Sequence, residues 1–334
     1  MAELPEYMWA AFIQRPGAAE SIVFGELPLP SPGPTDVLVR VSAVGVNHVD
    51  TFIRSGAYRT RLPRPFVVGR DAVGEVVSCG RGVTGFVEGD TVWTNSLGHD
   101  GRQGAAAQYA VVSAGRLYSA PKGRDPVEIA AVVHPAATAY LALFRHAHLH
   151  AGETIYIAGG GGGVGSALIE LASAAGARVL ASARPADHAR CRACGAEEVF
   201  DYRSDDLLGR LREYAPKGVD VYIDTSGRND LPTAVGLLAY GGRVVLLAGM
   251  SSRSELPVGP LYVKDASVLG FAISNAAVTD LAVAADRINS LLASGALAST
   301  SLERLELRDA ALAHRRLESG EVHGGTRLVL EPPL

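Results

Sequence analysis

Five consecutive glycines, Gly159–Gly163, separate an apolar run from a helix-like pattern in the stretch IYIAGGGGGVGSALIELASAAGARVLASARP. The stretch contains the GxGxxG spacing of a dinucleotide-binding turn, directly after a predicted strand and at the start of a predicted helix. Glycine permits the tight turn, the approach of backbone N–H groups to a diphosphate, and close packing of helix on strand. A flexible glycine-rich loop is the alternative interpretation. The predicted cofactor-binding residues of the turn are Gly160, Gly162, Gly163, Val164 and Gly165.

The end of the next predicted strand bears on the choice between the two nicotinamide cofactors. Folds that bind NAD place an acidic residue about 20 residues after the glycines, where it binds the ribose 2′-hydroxyl. Arg184 stands at this distance, at the end of ARVLASA. The planar guanidinium fork suits a 2′-phosphate and predicts NADPH, whereas a solvated arginine in a turn is the alternative. The nearby Asp187 would disfavour a phosphate unless it caps the following helix.

The rest of the chain has two kinds of pattern. Up to about residue 125 it reads as an all-β unit, with valine-rich strands such as DVLVRVSAVGV (36–46) between Gly/Pro clusters. From Glu153 to about Phe271, strand-like and helix-like segments alternate, which predicts parallel βαβ units. A helix, a second short helix and a closing strand are predicted after them.

Composition and charge argue against several functional classes. The chain has 334 residues, a net charge of -4 and three cysteines. The charge gives no electrostatic reason to bind nucleic acid or an anionic membrane, and we recognise no apolar run of membrane-spanning length. Three is a small and odd number of cysteines, which argues against a disulfide framework. No targeting segment is recognised, so we expect a soluble cytoplasmic protein.

Four motifs together resemble the zinc-free quinone oxidoreductase (zeta-crystallin-like) branch of the medium-chain dehydrogenase/reductase superfamily. GVNHVDTFIRSGAY (45–58) resembles the N-terminal signature of that branch, AGGGGGVG its nucleotide loop, VFDYRSDDL its third Rossmann strand and HGGTRLVL (323–330) its closing strand. The resemblance implies an α/β fold in which a GroES-like β-barrel catalytic domain, residues 1–130 and 275–334, carries an inserted Rossmann domain, residues 131–274. That domain would contain a doubly wound parallel sheet and bind NADPH.

The resemblance also implies an active site in the cleft between the domains. Relatives of this kind form homodimers through an edge strand of the Rossmann sheet, for which SVLGFAI is the candidate here.

The residues at the metal positions of the superfamily depart from its zinc-dependent members. Those members carry a cysteine in the segment that matches GVNHVD and a His-Glu pair in the segment that matches VGRDAVG, where this chain has Asn47 and Arg70–Asp71. Their four-cysteine structural zinc loop is replaced by NSLGHDGRQG. We therefore expect no metal. Without a Lewis acid to stabilise an alkoxide, the predicted reaction is reduction of a quinone or another activated alkene or enone by NADPH.

The same resemblance assigns further candidate residues. Asn47 would donate to the oxygen of the acceptor, Tyr58 would donate a hydrogen bond or a proton, and Asp50 would orient its neighbours. Turn formation by Asn47 and Asp50, and packing in the cleft wall by Tyr58, are the alternatives. Further residues are expected to contact the cofactor, with ordinary helix or strand positions as the alternative for several of them. These residues are Thr138, Tyr202, Gly249, Met250, Phe271 and Arg327.

Two other functions are compatible with this fold. An enoyl reductase for a larger thioester or natural-product intermediate would need a wide cleft with a basic rim for a carrier phosphate. A non-catalytic NADPH-binding or structural protein is the third possibility. In the enzymatic cases the partner is a small-molecule acceptor, and we expect neither nucleic acid nor a membrane. The candidate rim residues are His99, Arg102, Arg54, Arg59, Arg61 and Arg64.

Overall fold

The structure is a computed structural model that describes residues 4–297, 301–323 and 325–333, so Gly324 of the predicted closing segment lies outside the described residues. The chain divides into two compact units, Met1–His134 with Ala277–Leu334, and Pro135–Ala276. The strands are β1 (Tyr7–Ile13), β2 (Val23–Pro28), β3 (Asp36–Val46), β4 (Phe66–Val67), β5 (Asp71–Cys79), β6 (Thr91–Thr94), β7 (Tyr109–Ser113), β8 (Tyr118–Ser119), β9 (Thr154–Ala158), β10 (Arg178–Ala183), β11 (Glu198–Asp201), β12 (Val219–Asp224), β13 (Leu238–Leu246), β14 (Ser267–Gly270), β15 (Leu302–Glu306) and β16 (Arg327–Glu331). The helices are α1 (His48–Ser55), α2 (Pro126–Tyr140), α3 (Gly163–Ala174), α4 (His188–Ala193), α5 (Leu207–Tyr214), α6 (Leu231–Leu237), α7 (Val258–Val263), α8 (Val278–Ser294) and α9 (Ala310–Glu318).

Strands from both ends of the chain build the first unit. One sheet has the order β15-β16-β3-β5-β6-β8, with β7 also paired to β3, and a smaller sheet has the order β2-β1-β4. The long strand β3 is central and pairs antiparallel with β5, β7 and β16. Its valines fill the core of this unit, and its exposed residues, Arg40 and Ser42, stand on either side of Val41. This is the GroES-like unit that the sequence predicts.

The second unit is a parallel sheet with helices between its strands. The strand order is β11-β10-β9-β12-β13-β14, and all neighbouring pairs are parallel. Strand β9 has a continuous buried run, Ile155, Tyr156 and Ile157, as expected for a strand that is covered on both faces. The order reverses between β9 and β12, and doubly wound sheets bind ligands at the carboxyl ends of the strands at this point. The predicted fold class is confirmed.

Two elements differ from the sequence-based expectation. Helix α1 lies in the region that was expected to be all-β, and it begins with a capping box formed by Asn47 and Asp50. It has only 8 residues, too few to show a helical period clearly. Strand β15 was not predicted, because its sequence LERLE is half-exposed and charged. It pairs parallel with β16.

Helix α2 lies where the sequence predicts a helix, over residues 125–147, but it is more apolar than expected. A π-helical turn, Leu141–His146, continues it without a break, so that Pro126–His146 has 21 residues and is long and apolar enough to cross a membrane. The expectation that no apolar run reaches this length was therefore wrong. Because 83% of its most apolar window is buried inside the protein, the helix has the burial of a core helix.

Candidate functional site

The glycine turn joins β9 to α3 as predicted, and four of its glycines have distinct roles. Gly159 has a positive φ of 86°, and Gly162 is the N-cap of α3. A Cβ on Gly165 would lie 2.1 Å from the carbonyl oxygen of Gly159, so only glycine lets the helix pack this closely on the turn. A Cβ on Gly160 would lie 3.0 Å from side-chain carbons of Ala181 and Ile169. The turn is thus a packed structure and not a flexible loop.

The outer side of the turn is suited to an anion. A Cβ on the exposed Gly162 would meet only the oxygen of Gly159, at 3.4 Å, so the surface there is open. The first-turn N–H groups of Gly163, Val164 and Gly165 have no carbonyl of their own helix to bind, and the helix dipole favours negative charge at this end. These residues fit the diphosphate of a nicotinamide dinucleotide.

A cluster of charges follows β10, next to the turn. Arg184 donates to Asp187 Oδ2 at 3.1 and 3.2 Å, and Arg190 donates to Asp187 Oδ1 at 3.1 Å and to the carbonyl oxygen of Gly161 at 2.7 Å. Asp187 is buried and makes no capping hydrogen bond to α4. It therefore neutralises one of the two guanidinium groups and does not act as the helix cap that the sequence suggested. Arg190 was not predicted, although its position three residues after Asp187 on a helix is a recognisable pairing signal.

Tyr202 follows the end of β11 and is exposed. The guanidinium of Arg203 lies over its ring at 5.3 Å and donates to its hydroxyl from Nε at 3.2 Å. Tyr202 is therefore accessible to a ligand at the carboxyl edge of the sheet. The alternative, that its ring packs within the sheet, does not explain this exposure.

The loops after β12 and β13 are held together by a polar network that sequence analysis missed. Buried Asp224 accepts hydrogen bonds from the backbone N–H groups of Ser226 and Asn229, both at 2.7 Å. The Asn229 amide donates to the carbonyl of Ala248 at 3.0 Å, immediately before Gly249. Gly249 has a φ of 83°, and a Cβ there would lie 2.3 Å from the oxygen of Gly227. The predicted contact residue Gly249 is thereby fixed at the carboxyl edge of the sheet.

The other predicted cofactor contacts of the second unit have different surroundings. Met250 is 50% exposed in the turn after Gly249. Phe271 follows β14 and stacks on His146, with 4.4 Å between ring centroids. Thr138 is buried within α2 and is not at a helix start, the alternative that the sequence left open. Their contacts with a cofactor stay predictions.

In the first unit, the predicted polar residues form part of a buried network. The Asn47 amide donates to Asp71 Oδ2 at 2.7 Å, and the Asn47 backbone N–H donates to Asp50 Oδ2 at 2.8 Å. Asp71 Oδ1 lies 3.2 Å from His134 Nδ1. Asp71 and His134 were not among the predicted site residues. The network fixes the Asn47 amide, and one of its two N–H bonds remains available for another acceptor.

Asp50 has an unusual protonation equilibrium. Burial, and after it the neighbouring Asp71 charge, raises the pKa of Asp50 from 3.8 to about 7. At neutral pH a substantial fraction of Asp50 carries a proton. Asp50 was predicted only to orient its neighbours; its capping-box contact fits that role, and its pKa makes it a proton-holding group as well.

Tyr58 lies at the other end of α1, beyond Gly56. Its half-buried ring makes an edge contact with His99 at 5.7 Å between centroids. Burial lowers the pKa of His99, and the charge of Arg70 lowers it further, so the imidazole is neutral at pH 7. The N–H of neutral His99 and the O–H of Tyr58 could each donate a hydrogen bond to an oxygen atom of a bound molecule.

Two basic residues of the first unit have definite places. Arg54 is buried in α1 and pairs with Glu318 of α9, so its predicted place on a basic rim was wrong. Arg327 begins β16. Burial lowers the pKa of His48, and the charge of Arg327 lowers it further, which places Arg327 close to α1. Its predicted contact with the cofactor stays a prediction.

Comparison with known proteins identifies the family. Residues 163–290 match the family described as "Zinc-binding dehydrogenase", and residues 33–122 match the "Alcohol dehydrogenase GroES-like domain". The chain is 30% identical to the quinone oxidoreductase of Pongo abelii over 309 residues, which cover 91% of this chain and 92% of the relative. The chain belongs to the medium-chain dehydrogenase/reductase superfamily. The predicted resemblance to its quinone oxidoreductases is confirmed.

Solved structures of this superfamily agree with the fold. A quinone oxidoreductase from Pseudomonas syringae pv. tomato DC3000 has a TM-score of 0.85 at 29% identity, covering 96% of this chain and 99% of that one. A mycobacterial protein solved in complex with NADPH has a TM-score of 0.85 at 27% identity, covering 97% of this chain and 100% of that one. The chain is therefore an oxidoreductase of this superfamily with a nicotinamide cofactor.

The superfamily includes zinc enzymes, but the residues of this chain do not suit zinc. The Asn47 amide is turned toward Asp71, and the neighbouring Arg70 places a buried guanidinium beside the same two carboxylates, Asp50 and Asp71. A divalent cation would compete with this fixed positive charge. Within the described residues, no three His, Cys, Asp or Glu side chains are grouped as a metal site would require.

Proposed function

We propose that this protein is an NADPH-dependent, zinc-free reductase of quinones or other activated alkenes and enones. The observation that carries the proposal is the glycine turn with Arg184 and Arg190 beside it. These two cations face one carboxylate, Asp187, and leave a net positive charge next to the helix that would bind the diphosphate. The 2′-phosphate of NADPH would supply the missing negative charge.

The bound nicotinamide would supply a hydride to the electrophilic carbon of the acceptor. The chain itself would hold the acceptor oxygen, on which negative charge develops, through the N–H of Asn47 and the hydroxyl of Tyr58. Asp71 acts as a positioning residue, because it fixes the Asn47 amide at 2.7 Å. A proton must then reach that oxygen or the adjacent carbon. Tyr58 is the proposed donor. Asp50, which interacts with the same Arg70 as Tyr58 and has a pKa of about 7, can hold a proton at neutral pH.

The second unit also offers a surface for a homodimer, which we propose as the state of the protein. Strand β14 is the edge of the parallel sheet, and α7, which precedes it, has no buried residue. Its side chains include Val258, Tyr262 and Val263, exposed by 61%, 69% and 59%. A free sheet edge beside a large exposed apolar surface is suited to pairing with a second copy of the chain.

The experiment that tests the function is a comparison of initial rates. Oxidation of NADPH and of NADH would be followed in parallel with 1,4-benzoquinone, 9,10-phenanthrenequinone and a 2-alkenal, each with and without a chelator. We expect NADPH oxidation that the chelator does not change, with NADH at least about tenfold less efficient. An absence of turnover with every acceptor, despite tight NADPH binding, would favour the non-catalytic alternative. A preference for NADH would refute the role given to Arg184, and inhibition by the chelator would refute the zinc-free assignment.

A further inference from the structure

Three neighbouring strands of the first unit bring basic residues to one end of their sheet. Strand β5 pairs antiparallel with β6, with Ala72 opposite Thr94, and β6 pairs antiparallel with β8, with Trp93 opposite Tyr118. Arg70 immediately precedes β5, and Arg116 lies just before β8. If the pairing of β5 with β6 and of β6 with β8 is extended beyond the end of β6, these two arginines lie on either side of the loop that follows β6.

That loop, residues 95–104, is fixed by hydrogen bonds. The backbone N–H of Leu97 donates to the carbonyl of Arg70 at 3.2 Å, and Gly98 donates to Gln103 at 2.9 Å. The half-buried Arg102 donates from Nε to the carbonyl of Ser96 at 3.0 Å. Arg102 is thereby held in the loop, and its charge is close enough to those of Arg116 and Arg70 to interact with them.

The loop also adjoins the proposed acceptor site. His99 of the loop contacts the ring of Tyr58, and the charge of Arg70 is close enough to Tyr58 for the two to interact. A molecule held by the Tyr58 hydroxyl would thus lie within a few ångströms of the loop.

The arginines of this region differ in whether a carboxylate is paired with them. Buried Arg70 interacts with Asp50 and Asp71, and exposed Arg61 pairs with Asp100 at 3.4 Å. In the part of the chain that the structure describes, Arg102 and Arg116 make no ion pair with a carboxylate. Burial lowers the pKa of Arg102, the charges of Arg116 and Arg70 lower it further, and Asp100 opposes them with the smallest effect. Two half-buried guanidinium groups that repel each other are a place where an anion would be stabilised.

We propose that Arg102 and Arg116 bind an anionic group, a carboxylate or a phosphate, on the acceptor whose reducible bond lies beside Tyr58. This inference rests on the proposed function and narrows its substrate to acidic quinones, acidic enones or thioesters of a phosphate-bearing carrier. The proposed anion site contains fewer basic residues than the rim predicted from the sequence. Arg54 is buried and paired with Glu318, and Arg61 is paired with Asp100. Arg116 was absent from the predicted set.

The test uses pairs of acceptors that share the reducible group and of which only one member carries an anion. The carboxylate arm compares 4-carboxycinnamaldehyde with its methyl ester, and the phosphate arm compares crotonyl-CoA with crotonyl-N-acetylcysteamine. Steady-state kcat and KM would be measured with NADPH for the unaltered protein, Arg102→Gln, Arg116→Gln and Arg81→Gln. Arg81 is an exposed arginine beyond the opposite end of β5, so its variant removes the same charge at the other end of the sheet.

We expect KM for the anionic member of one pair to be at least about tenfold below that of its neutral partner. Each of Arg102→Gln and Arg116→Gln should remove most of this difference and leave the neutral acceptor unchanged within about twofold, whereas Arg81→Gln should change neither. The preference should also weaken as salt rises from 50 mM to 500 mM, which loss of folding would not produce. The arm that shows the preference identifies the anion.

Equal kcat/KM for both members of both pairs would overturn the inference while leaving the reductase function intact. Turnover of no acceptor at all would instead count against the proposed function. A parallel loss with neutral and anionic acceptors in the arginine variants would mean that these residues support the fold and do not bind an anion. Circular dichroism melts of each variant would identify that case.

Discussion

Gly162→Ala separates cofactor binding from folding more cleanly than any other change in the glycine turn. Gly162 has φ of -81° and ψ of 180°, which alanine adopts freely, and the added methyl would meet only the oxygen of Gly159, at 3.4 Å. Because alanine is a poorer N-cap than glycine, the free energy of unfolding should fall by about 1 kcal/mol at most. The methyl would nevertheless occupy the open side of the turn that the diphosphate approaches.

The effect on NADPH binding should be much larger than the effect on stability. Loss of one charge-assisted hydrogen bond between a first-turn N–H and the diphosphate costs about 2–3 kcal/mol. This corresponds to a rise in Kd of roughly 100-fold. Isothermal titration calorimetry would give the Kd for NADPH, and urea unfolding would give the stability of the same preparation. A well-folded Gly162→Ala protein with unchanged NADPH affinity would refute the assignment of the turn to the diphosphate.

Four further outcomes are expected. Gly165→Ala should lower the unfolding free energy by about 3 kcal/mol, because its Cβ would strike backbone atoms. Gly236→Ala is the control in the same unit: its Cβ would meet nothing within 4 Å, so the change should be neutral or stabilising in urea unfolding. Equal effects of the two changes would contradict the packing argument. Burial and a neighbouring carboxylate raise the pKa of Asp50 from 3.8 to about 7, so between these pH values the folded protein binds more protons than the unfolded chain, and its stability falls as pH rises. Asp50→Asn should remove the contribution of Asp50 to this fall in urea titrations at different pH values. An unchanged pH profile of stability would refute the raised pKa. Asp187→Asn should raise the ratio of kcat/KM for NADPH over NADH by about tenfold, since it frees a guanidinium for the 2′-phosphate; a lower ratio would contradict the proposed cofactor. Tyr262→Glu should convert a dimer to a monomer in light scattering, and a dimer that persists would place the interface elsewhere.

Features that depend on local sequence could be predicted. The turn at Gly160–Gly165 and the strand–helix alternation around it are specified by neighbouring residues, and the parallel sheet was predicted correctly from them. Helix α1 was not predicted, although the sequence contains a local signal for its start: Asn47 and Asp50 stand at the spacing of a capping box. Turns and helix starts both use hydrogen bonds between Asn or Asp side chains and nearby backbone N–H groups, so the same two residues fit either structure.

Features that depend on distant segments could not be predicted. Arg54 looks like a surface residue until Glu318, far away in the sequence, pairs with it. Arg116 gains its importance only from the register of β8 against β6 and of β6 against β5. Arg190 had a pairing signal toward Asp187, but its hydrogen bond to Gly161 depends on how α4 packs beside the turn. The catalytic roles of Asn47, Asp50 and Tyr58 stay predictions.

The most direct measurement of the central proposal follows the transferred hydrogen. NADPH labelled with deuterium at C4, in separate 4R and 4S forms, would be incubated with an enone acceptor, and the product would be examined by mass spectrometry and NMR. We expect one of the two forms to place a single deuterium on the carbon β to the carbonyl. Product without deuterium from both forms, or consumption of the acceptor without oxidation of NADPH, would contradict it.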